Sequence, residues 1–318
     1  MPPPAGVAQP RRRNRALAMT ALSMTSVQTG AGVSTFLFRS FSPAGATWLR
    51  LVWAAVILLP LARPRLRGRA PREAAAAVSL GVVSGLLTLL YFQAVARLPL
   101  GTATALEFLG PLAVSLAGLR RRADLAWPAA AVVGVVALTH PWSGPVSLAG
   151  VAFGLGAAAG WAGYILLTQR VGDSFPGLSG LAVSMTAAAL VTAPFAHVTT
   201  VLGRLGPRTL LLSGLAAVLL PLLPYACEML ALRHLNSASF GTLMSFEPAV
   251  GTAVGFVLLG QRPQAAQLLG IAAVTVASVG AVRRSARQPP QVDPVPSPPQ
   301  PGGPRAGPAP AQRTGRKD

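Results

Sequence analysis

Long apolar runs recur along the chain and are separated by short segments that carry arginine. A helix that spans a membrane needs roughly 20 mostly apolar residues, and charged residues mark the breaks between spans. The pattern therefore predicts an all-α integral membrane protein with ten transmembrane helices. The predicted spans are 16–38, 44–62, 73–95, 101–119, 125–141, 147–168, 178–197, 209–231, 237–258 and 264–282.

The composition supports the same conclusion, because 52% of the residues are hydrophobic and only 11% are charged. A soluble protein has about a quarter of its residues charged. One or two apolar runs would fit a soluble core, but runs that repeat from residue 16 to residue 282 do not. The amino terminus has the basic and then apolar order of a signal peptide. Its apolar stretch continues to Phe38, so we interpret it as a retained first helix.

The arginines fall mainly in alternate loops. Seventeen of them occupy the amino-terminal segment, every second loop and the segment directly after the last span, whereas five occupy the other loops. Arginine is enriched on the cytoplasmic side of membrane proteins, which predicts that both termini lie in the cytoplasm. This clustering, with only 6% aromatic residues, explains the net charge of +19 without a nucleic-acid partner.

A shift of 137 residues aligns the fourth predicted span with the ninth. It places Leu98 on Leu235, Thr102 on Ser239, Leu106 on Leu243 and Pro111 on Pro248. We therefore predict two five-helix repeats, 16–141 and 147–284, which the odd number of spans orients oppositely. Ten helices without symmetry are the alternative. The flanks are a basic cytoplasmic amino terminus, 1–15, and a Pro/Gly-rich cytoplasmic tail, 285–318, expected to be disordered or to bind a partner as polyproline.

Three of the eight acidic residues fall inside predicted spans, namely Glu107, Glu228 and Glu247. A charged group at the centre of a bilayer costs about 2.5 to 3.5 kcal/mol on insertion scales, so such residues usually face a partner or a water-filled path. Removal from water also favours the neutral form of a carboxyl group, which would let a glutamate exchange a proton for a charged substrate. The alternative is a structural role as protonated or helix-pairing residues.

Arg50 is the one basic residue placed inside a span. It either extends to the outer membrane interface or pairs with a glutamate or a substrate carboxylate. Neutral substrate contacts are predicted from five further residues, although tyrosine and tryptophan are also common at membrane interfaces. These residues are Gln28, Gln93, Trp161, Tyr164 and Tyr225. Each glutamate also lies within four residues of a proline that would kink its helix, and these prolines are Pro111, Pro224 and Pro248.

The sequence has no grouping of residues typical of a metal site or a catalytic centre, so we predict no enzyme activity, no metal and no cofactor. His140, His197 and His234 lie far apart, and no serine, histidine and acid are grouped. The single cysteine, Cys227, excludes an intramolecular disulfide. A scaffold or sensor would most naturally carry a folded soluble domain, and the sequence offers only the tail.

Four segments resemble the EamA-type drug/metabolite transporters, and within them the threonine and homoserine exporter group. They occur in the same order as in that group: MTSVQTGAGVSTFLF at 24–38, LPLGTATALEFLGPLAVSL at 98–116, GWAGYILLTQRVG at 160–172 and LPYACEMLALRHLNSASFGTLMSFEPAVG at 223–251. The resemblance extends over about residues 20–282, and ALEFLGPLAV and FGTLMSFEPA are its most specific parts.

This resemblance implies a ten-helix, inverted-repeat secondary transporter that exports small amino acids or related metabolites in exchange for protons. The three intramembrane glutamates match acids of the family motifs, and Arg50 matches the arginine of its second helix. The chain departs from the group at three places: Thr35 replaces a lysine, Thr88-Leu89 replaces Asn-Tyr, and Gly260-Gln261 replaces Gly-Glu. These departures remove polar groups from the expected transport path, so they concern the identity of the substrate rather than family membership. Efflux of cationic drugs, for which a membrane glutamate is a counter-charge, or uptake of a small metabolite is the alternative. No oligomeric state is predicted.

Overall fold

The computed structural model describes residues 5–64, 70–117, 126–139, 147–174, 178–232, 234–235 and 237–285. Every regular element within these ranges is helical, which confirms the all-α prediction. The tail predicted after residue 285 and the arginine cluster at 120–122 lie outside the described residues.

The helices are numbered in chain order. They are α1 Ala5–Leu37, α2 Pro43–Ala62, α3 Pro71–Val95, α4 Leu100–Glu107, α5 Leu109–Ala117, α6 Ala126–Thr139, α7 Leu148–Ser174, α8 Ser179–Thr192, α9 Val198–Gly203, α10 Pro207–Ala217, α11 Leu223–Leu232, α12 Ser237–Met244, α13 Glu247–Leu259 and α14 Ala265–Ser285. A 3₁₀ turn, Ala193–Phe195, continues α8, and an irregular helical segment, Val218–Leu222, joins α10 to α11.

Six described helices are long and apolar enough to cross a membrane. They are Pro43–Ala62, Pro71–Val95, Leu148–Thr168, Pro207–Glu228, Ser239–Leu259 and Ala265–Arg283. Three shorter apolar helices are Leu100–Val114, Ala129–Leu138 and Ser179–Phe195. The predicted first span lies in α1, which is not one of the six because it carries many polar residues. Several of these polar residues are buried, including Thr20, Ser23, Ser26, Gln28 and Ser34.

Local sequence sets the beginnings of the membrane helices. The Ser42 hydroxyl accepts a hydrogen bond from the Gly45 N–H at 3.1 Å and caps α2, whose first residue is Pro43. Proline suits this position because an N–H in the first helical turn has no acceptor within the helix, so its absence costs nothing. Pro71 and Pro207 begin α3 and α10 in the same way.

Two predicted spans are each divided into two short helices beside an intramembrane glutamate. The break between α4 and α5 is at Phe108, directly after Glu107 and three residues before Pro111. The break between α12 and α13 is at 245–246, directly before Glu247 and Pro248. A proline lacks the N–H that an uninterrupted helix would use, so a nearby break is expected.

The offset of 137 residues recurs in the helix boundaries. Adding 137 to the last residue of α4, Glu107, gives Met244, the last residue of α12. The break that follows α4 therefore has a counterpart after α12.

The helices form one bundle in which α1 and α4 have central positions. Helix α1 packs against α10, α11 and α13, and α4 packs against α7 and α13. On the outer sides, α3 packs against α7 and α8, and α6 packs against α14. Gly101 of α4 lies directly against Thr252 of α13, where a larger residue would not fit. Small residues at such positions let membrane helices approach closely.

Candidate functional site

The irregular segment Val218–Leu222 leaves two backbone carbonyls without their helical donors. Leu220 has the extended dihedral angles φ −155° and ψ 108°, and the Leu223 N–H bonds to the Val218 carbonyl instead of that of Leu219. The helical donor for the Leu220 carbonyl would be residue 224, which is proline. Both carbonyls are therefore available to side chains of other helices, as irregular backbone at membrane depth requires.

Two side chains from the first two helices donate hydrogen bonds to these carbonyls. The Ser26 hydroxyl of α1 donates to the Leu219 carbonyl at 2.7 Å. Arg50 Nη1 of α2 lies 3.4 Å from the Leu220 carbonyl, to which it donates. The broken backbone between α10 and α11 is thus held by polar contacts from α1 and α2.

Arg50 lies inside the helix bundle with only 2% of its surface exposed. Its guanidinium carbon is 4.6 Å from the centre of the Phe92 ring, a cation–π contact. Its Nε is buried and has no hydrogen-bond partner among the described residues. The sequence left open whether Arg50 extends to the membrane interface or pairs with an acidic group. Its burial in the bundle disagrees with the first of these interpretations.

Glu247 begins α13 and is also 2% exposed. Its Oε1 accepts a hydrogen bond from Gln28 Nε2 of α1 at 3.1 Å. Its Oε2 is buried and has no hydrogen-bond partner among the described residues. A buried carboxylate oxygen without a donor is energetically costly, so this oxygen marks a place where a partner is required.

Thr104 and Tyr91 continue the polar network from Gln28. The Thr104 hydroxyl lies 3.2 Å from Gln28 Oε1, 3.0 Å from the Tyr91 hydroxyl and 2.9 Å from the Leu100 carbonyl. These residues are buried, and they connect α1, α3 and α4 with the carboxylate on α13. We call Gln28, Tyr91, Thr104 and Glu247 the central polar network.

A glycine leaves the space in which this network lies. A Cβ atom on Gly251 of α13 would lie 2.7 Å from Gln28 Oε1 and 3.2 Å from the Thr104 hydroxyl. Gly251 lies one turn after Glu247, so the absence of its side chain lets α1 and α4 approach the carboxylate. Any larger residue there would displace the glutamine amide.

Glu107, at the carboxyl end of α4, is less buried than Glu247. It lies less than one turn after Thr104 and interacts electrostatically with Glu247 and Arg50. The structure therefore places Arg50 and Glu107 near the central polar network, to which Glu247 belongs.

Glu228 forms a second polar contact, farther along α1. The Ser23 hydroxyl donates to Glu228 Oε1 at 2.7 Å. Ser23 precedes Gln28 by five residues on α1, and Glu228 lies in α11 after the irregular segment. This pair interacts electrostatically with Glu247 but is not hydrogen-bonded to the central polar network in the described structure.

The other predicted residues lie around these groups rather than within them. Trp161 packs edge-on against Phe108, with ring centres 5.0 Å apart. Tyr164 packs against the buried pair Ala77 and Leu80.

Gln93 and Tyr225 are also outside the central polar network. Gln93 Oε1 accepts a hydrogen bond from Arg97 Nη1 at 2.6 Å, at the exposed end of α3. Tyr225 is partly buried at the beginning of α11.

Tyr91, Phe92 and Ser23 were not among the predicted site residues. Their residue types are common in membrane helices, and only the fold brings them to the charged groups. The sequence did contain one indication for the aromatic pair, because Tyr91 and Phe92 directly precede the predicted residue Gln93 in an otherwise aliphatic run. Thr104 shares a helical face with Glu107 in the sequence, which is the corresponding signal for this residue.

Similar proteins are found over most of the chain. It is 37% identical over 272 residues to the threonine/homoserine exporter RhtA of Salmonella typhimurium strain SL1344, covering 84% of this chain and 91% of that protein. It is 38% identical over 264 residues to the threonine/homoserine exporter RhtA of Escherichia coli strain K12, covering 81% and 88%. Membrane-length helices and these relatives make the chain a multi-pass bacterial inner-membrane protein.

Two further comparisons concern the fold and the family. A crystal structure of a protein with 17% sequence identity matches the fold with a TM-score of 0.55, covering 85% of this chain and 98% of that one. The EamA-like transporter family model matches residues 148–283, and the predicted resemblance to this family is thereby confirmed. Since this is a family of transporters, the prediction that the protein is not an enzyme is also confirmed. The chain belongs to the EamA-like transporter family.

Proposed function

We propose that the protein is a secondary transporter that exports small amino acids of the threonine and homoserine type, or related metabolites, in exchange for protons. The central polar network and the adjacent Arg50 carry this proposal. They bury opposite charges with unused hydrogen-bonding atoms in a chain 37% identical to a threonine/homoserine exporter. Such groups are costly at membrane depth, and they usually mark a substrate or ion path.

The proposed architecture is a pair of inverted five-helix repeats, 16–141 and 147–284. The 137-residue offset between the ends of α4 and α12, Glu107 and Met244, supports it. In transporters of this kind the substrate site lies near the middle of the membrane, where the repeats meet. The contact of Gln28 with Glu247 joins the two proposed repeats and supports a site between them.

Alternating access would use the interrupted helices. The breaks at Phe108, at 245–246 and at Leu220 lie next to the charged groups, so a change of helix direction there would open or close the site. In the described conformation Arg50 and Glu247 are both 2% exposed, which corresponds to an occluded site. Discontinuous helices around a fixed site are common in secondary transporters.

Glu107 is the proposed proton-coupling residue. It is less buried than Glu247, so protons can reach it more readily, and it interacts electrostatically with both Glu247 and Arg50. A proton bound there would change the local charge by one unit and thereby the affinity for a charged substrate. Glu228, paired with Ser23, would provide a further proton position on the path.

The proposed orientation has both termini in the cytoplasm, on the basis of the arginine distribution. Export then moves substrate from the arginine-rich side of the membrane to the other side. Inside-out membrane vesicles present the cytoplasmic face to the medium and are suited to measure this direction.

The test is threonine and homoserine accumulation in inside-out vesicles that contain the protein. An acidic lumen should drive accumulation, because protons leave the lumen as substrate enters, and collapse of the pH gradient should abolish it. Vesicles without the protein are the control. In cells, overexpression should lower intracellular threonine and increase resistance to inhibitory homoserine.

Other outcomes would contradict parts of this proposal. Accumulation of lipophilic cations without any amino acid would indicate a drug exporter, and substrate movement in the reverse direction would indicate uptake. Accumulation that does not respond to the pH gradient would exclude proton exchange while leaving amino-acid export intact.

A further inference from the structure

Two buried side-chain atoms of opposite charge lack hydrogen-bond partners among the described residues, one within the central polar network and one near it. They are Arg50 Nε and Glu247 Oε2. Building on the amino-acid export proposed above, we propose that they bind the two charged ends of a zwitterionic α-amino acid. Arg50 Nε receives the α-carboxylate, and Glu247 Oε2 receives the α-ammonium group.

The surroundings of Arg50 direct one edge of its guanidinium to a ligand. Its Nη1 is engaged by the Leu220 carbonyl at 3.4 Å, and one of its faces is covered by the Phe92 ring at 4.6 Å. These contacts orient the planar group and leave the Nε–H without an acceptor. A carboxylate fits this edge because a guanidinium presents its N–H groups in the geometry that carboxylate oxygens accept.

The surroundings of Glu247 likewise leave one oxygen for a donor. Gln28 Nε2 holds Oε1 at 3.1 Å, and the Gln28 side chain is in turn contacted by Thr104 through its Oε1 at 3.2 Å. The carboxylate therefore has a defined orientation with Oε2 unoccupied. An ammonium group is a suitable donor because it brings three N–H bonds and a full positive charge.

A continuous set of contacts connects the two ends of the proposed site. The Phe92 ring beneath Arg50 packs edge-on against Tyr91, with centres 5.3 Å apart. The Tyr91 hydroxyl contacts Thr104 at 3.0 Å, and Thr104 leads to Gln28 and Glu247. The hydroxyls of Tyr91 and Thr104 belong to this chain of contacts, and a substrate side-chain hydroxyl could also find a partner there.

The two atoms without hydrogen-bond partners favour a zwitterion over a singly charged molecule. A cation would donate to Glu247 Oε2 but leave Arg50 Nε buried without an acceptor. An anion would accept from Arg50 Nε but leave Glu247 Oε2 buried without a donor. Each unsatisfied charged group carries a desolvation cost that a zwitterion removes at both ends. Glu107 remains outside this neutralised pair and is available for the proton.

Binding to the purified full-length protein in detergent tests this site. Threonine is compared with 1-amino-2-propanol, which lacks the carboxylate, and with 3-hydroxybutyrate, which lacks the ammonium group. Affinity follows from the increase in Tm with ligand concentration. Each analogue should bind about 10- to 100-fold more weakly than threonine, the equivalent of one hydrogen bond to a charged group.

Two substitutions assign the ends. Arg50→Gln should weaken threonine binding by about 10- to 100-fold and leave the binding of 1-amino-2-propanol unchanged. Glu247→Gln should weaken threonine binding and leave the binding of 3-hydroxybutyrate unchanged. Arg50→Lys retains the charge if the glutamine variant does not fold. Arg97→Gln is the matched control, because Arg97 also covers an aromatic ring, Phe153 at 4.9 Å, but lies exposed at the end of α3.

The proposal is overturned if either analogue binds the wild type as tightly as threonine. It is also overturned if Arg50→Gln weakens all three compounds equally, since that result indicates a structural role. The wild-type comparison decides the question even if no variant folds. Threonine accumulation by wild-type vesicles separates this inference from the proposed function, because accumulation with equal binding of all three compounds refutes only the zwitterion site. Absence of amino-acid accumulation refutes both.

Discussion

The Thr104 hydroxyl has three oxygen neighbours and only one proton to donate. It lies within 3.2 Å of Gln28 Oε1, the Leu100 carbonyl and the Tyr91 hydroxyl. Tyr91 can donate to Thr104, which leaves the Thr104 proton for either Gln28 or Leu100. A small rotation of this hydroxyl would therefore change how firmly Gln28 is held against Glu247.

Thr104→Val should destabilise the protein without a change in side-chain size. The Tyr91 hydroxyl and Gln28 Oε1 would each lose a buried partner, at a cost of about 1–3 kcal/mol in the free energy of unfolding. Thermal unfolding in detergent measures the change. Thr25→Val is the matched control, because Thr25 is exposed and its hydroxyl donates only to the Ala21 carbonyl of its own helix, at 2.8 Å. Equal destabilisation by the two substitutions would show that the network contributes nothing.

Glu107→Gln should uncouple transport from the pH gradient. The amide keeps the size of the side chain but cannot bind or release a proton, so threonine accumulation in vesicles should stop responding to an acidic lumen. Counterflow exchange, which needs no gradient, should persist. Glu73→Gln, at the beginning of α3, is the control among acids. A variant that still accumulates threonine in proportion to the gradient would assign the proton to another group.

The irregular segment between α10 and α11 is an element that two other helices complete. Pro224 removes the helical donor for the Leu220 carbonyl, and Arg50 from α2 supplies the replacement at 3.4 Å. Ser26 from α1 does the same for the Leu219 carbonyl at 2.7 Å. A proline on another helix thus leaves free one of the groups that Arg50 contacts.

Pro224→Ala should reduce transport while the protein remains folded. Alanine restores an N–H four residues after Leu220, where it competes with Arg50 Nη1 for the same carbonyl. Loss of one hydrogen bond to a charged group corresponds to a reduction of about tenfold in threonine accumulation. Pro207→Ala, at the first position of α10, is the matched control because no helical partner awaits an N–H there. Full activity of Pro224→Ala would contradict this role.

The sequence predicts helices better than it predicts their interruptions. The span predicted at 73–95 compares with α3, Pro71–Val95, because a long apolar run has few alternatives in a membrane protein. A kink at Pro224 was predicted, and the irregular segment with Leu220 lies just before this proline. Proline frees carbonyls near it, but the partners that stabilise the broken backbone, Ser26 and Arg50, are distant in sequence. Helix α9, with six residues, was too short for a pattern of apolar residues to define.

The site was predictable where charge made a residue unusual. Glu247, Glu107 and Arg50 are conspicuous in an apolar run, and the fold places them around one network. Tyr91 and Thr104 are ordinary residues of membrane helices, and their role depends on contacts between helices that sequence periodicity does not specify.

At the scale of the whole molecule, the 137-residue offset pairs residues of different polarity. It places Tyr91 on Glu228 and Gly110 on Glu247. The charged residues are therefore not repeated at this offset. An asymmetric arrangement of charged residues can distinguish the two ends of a dipolar substrate.

The proposed inverted repeat predicts that equivalent positions lie on opposite sides of the membrane. Arg97 and His234 are 137 residues apart, are both exposed, and lie just after α3 and α11. In a Cys227→Ala background, Arg97→Cys should react with a membrane-impermeant maleimide only from the periplasmic side and His234→Cys only from the cytoplasmic side. The Cys227→Ala protein is the unlabelled control, and threonine accumulation verifies that each variant is folded. Labelling of both cysteines from one side would contradict the pair of inverted five-helix repeats, and would leave the arginine distribution without its topological explanation.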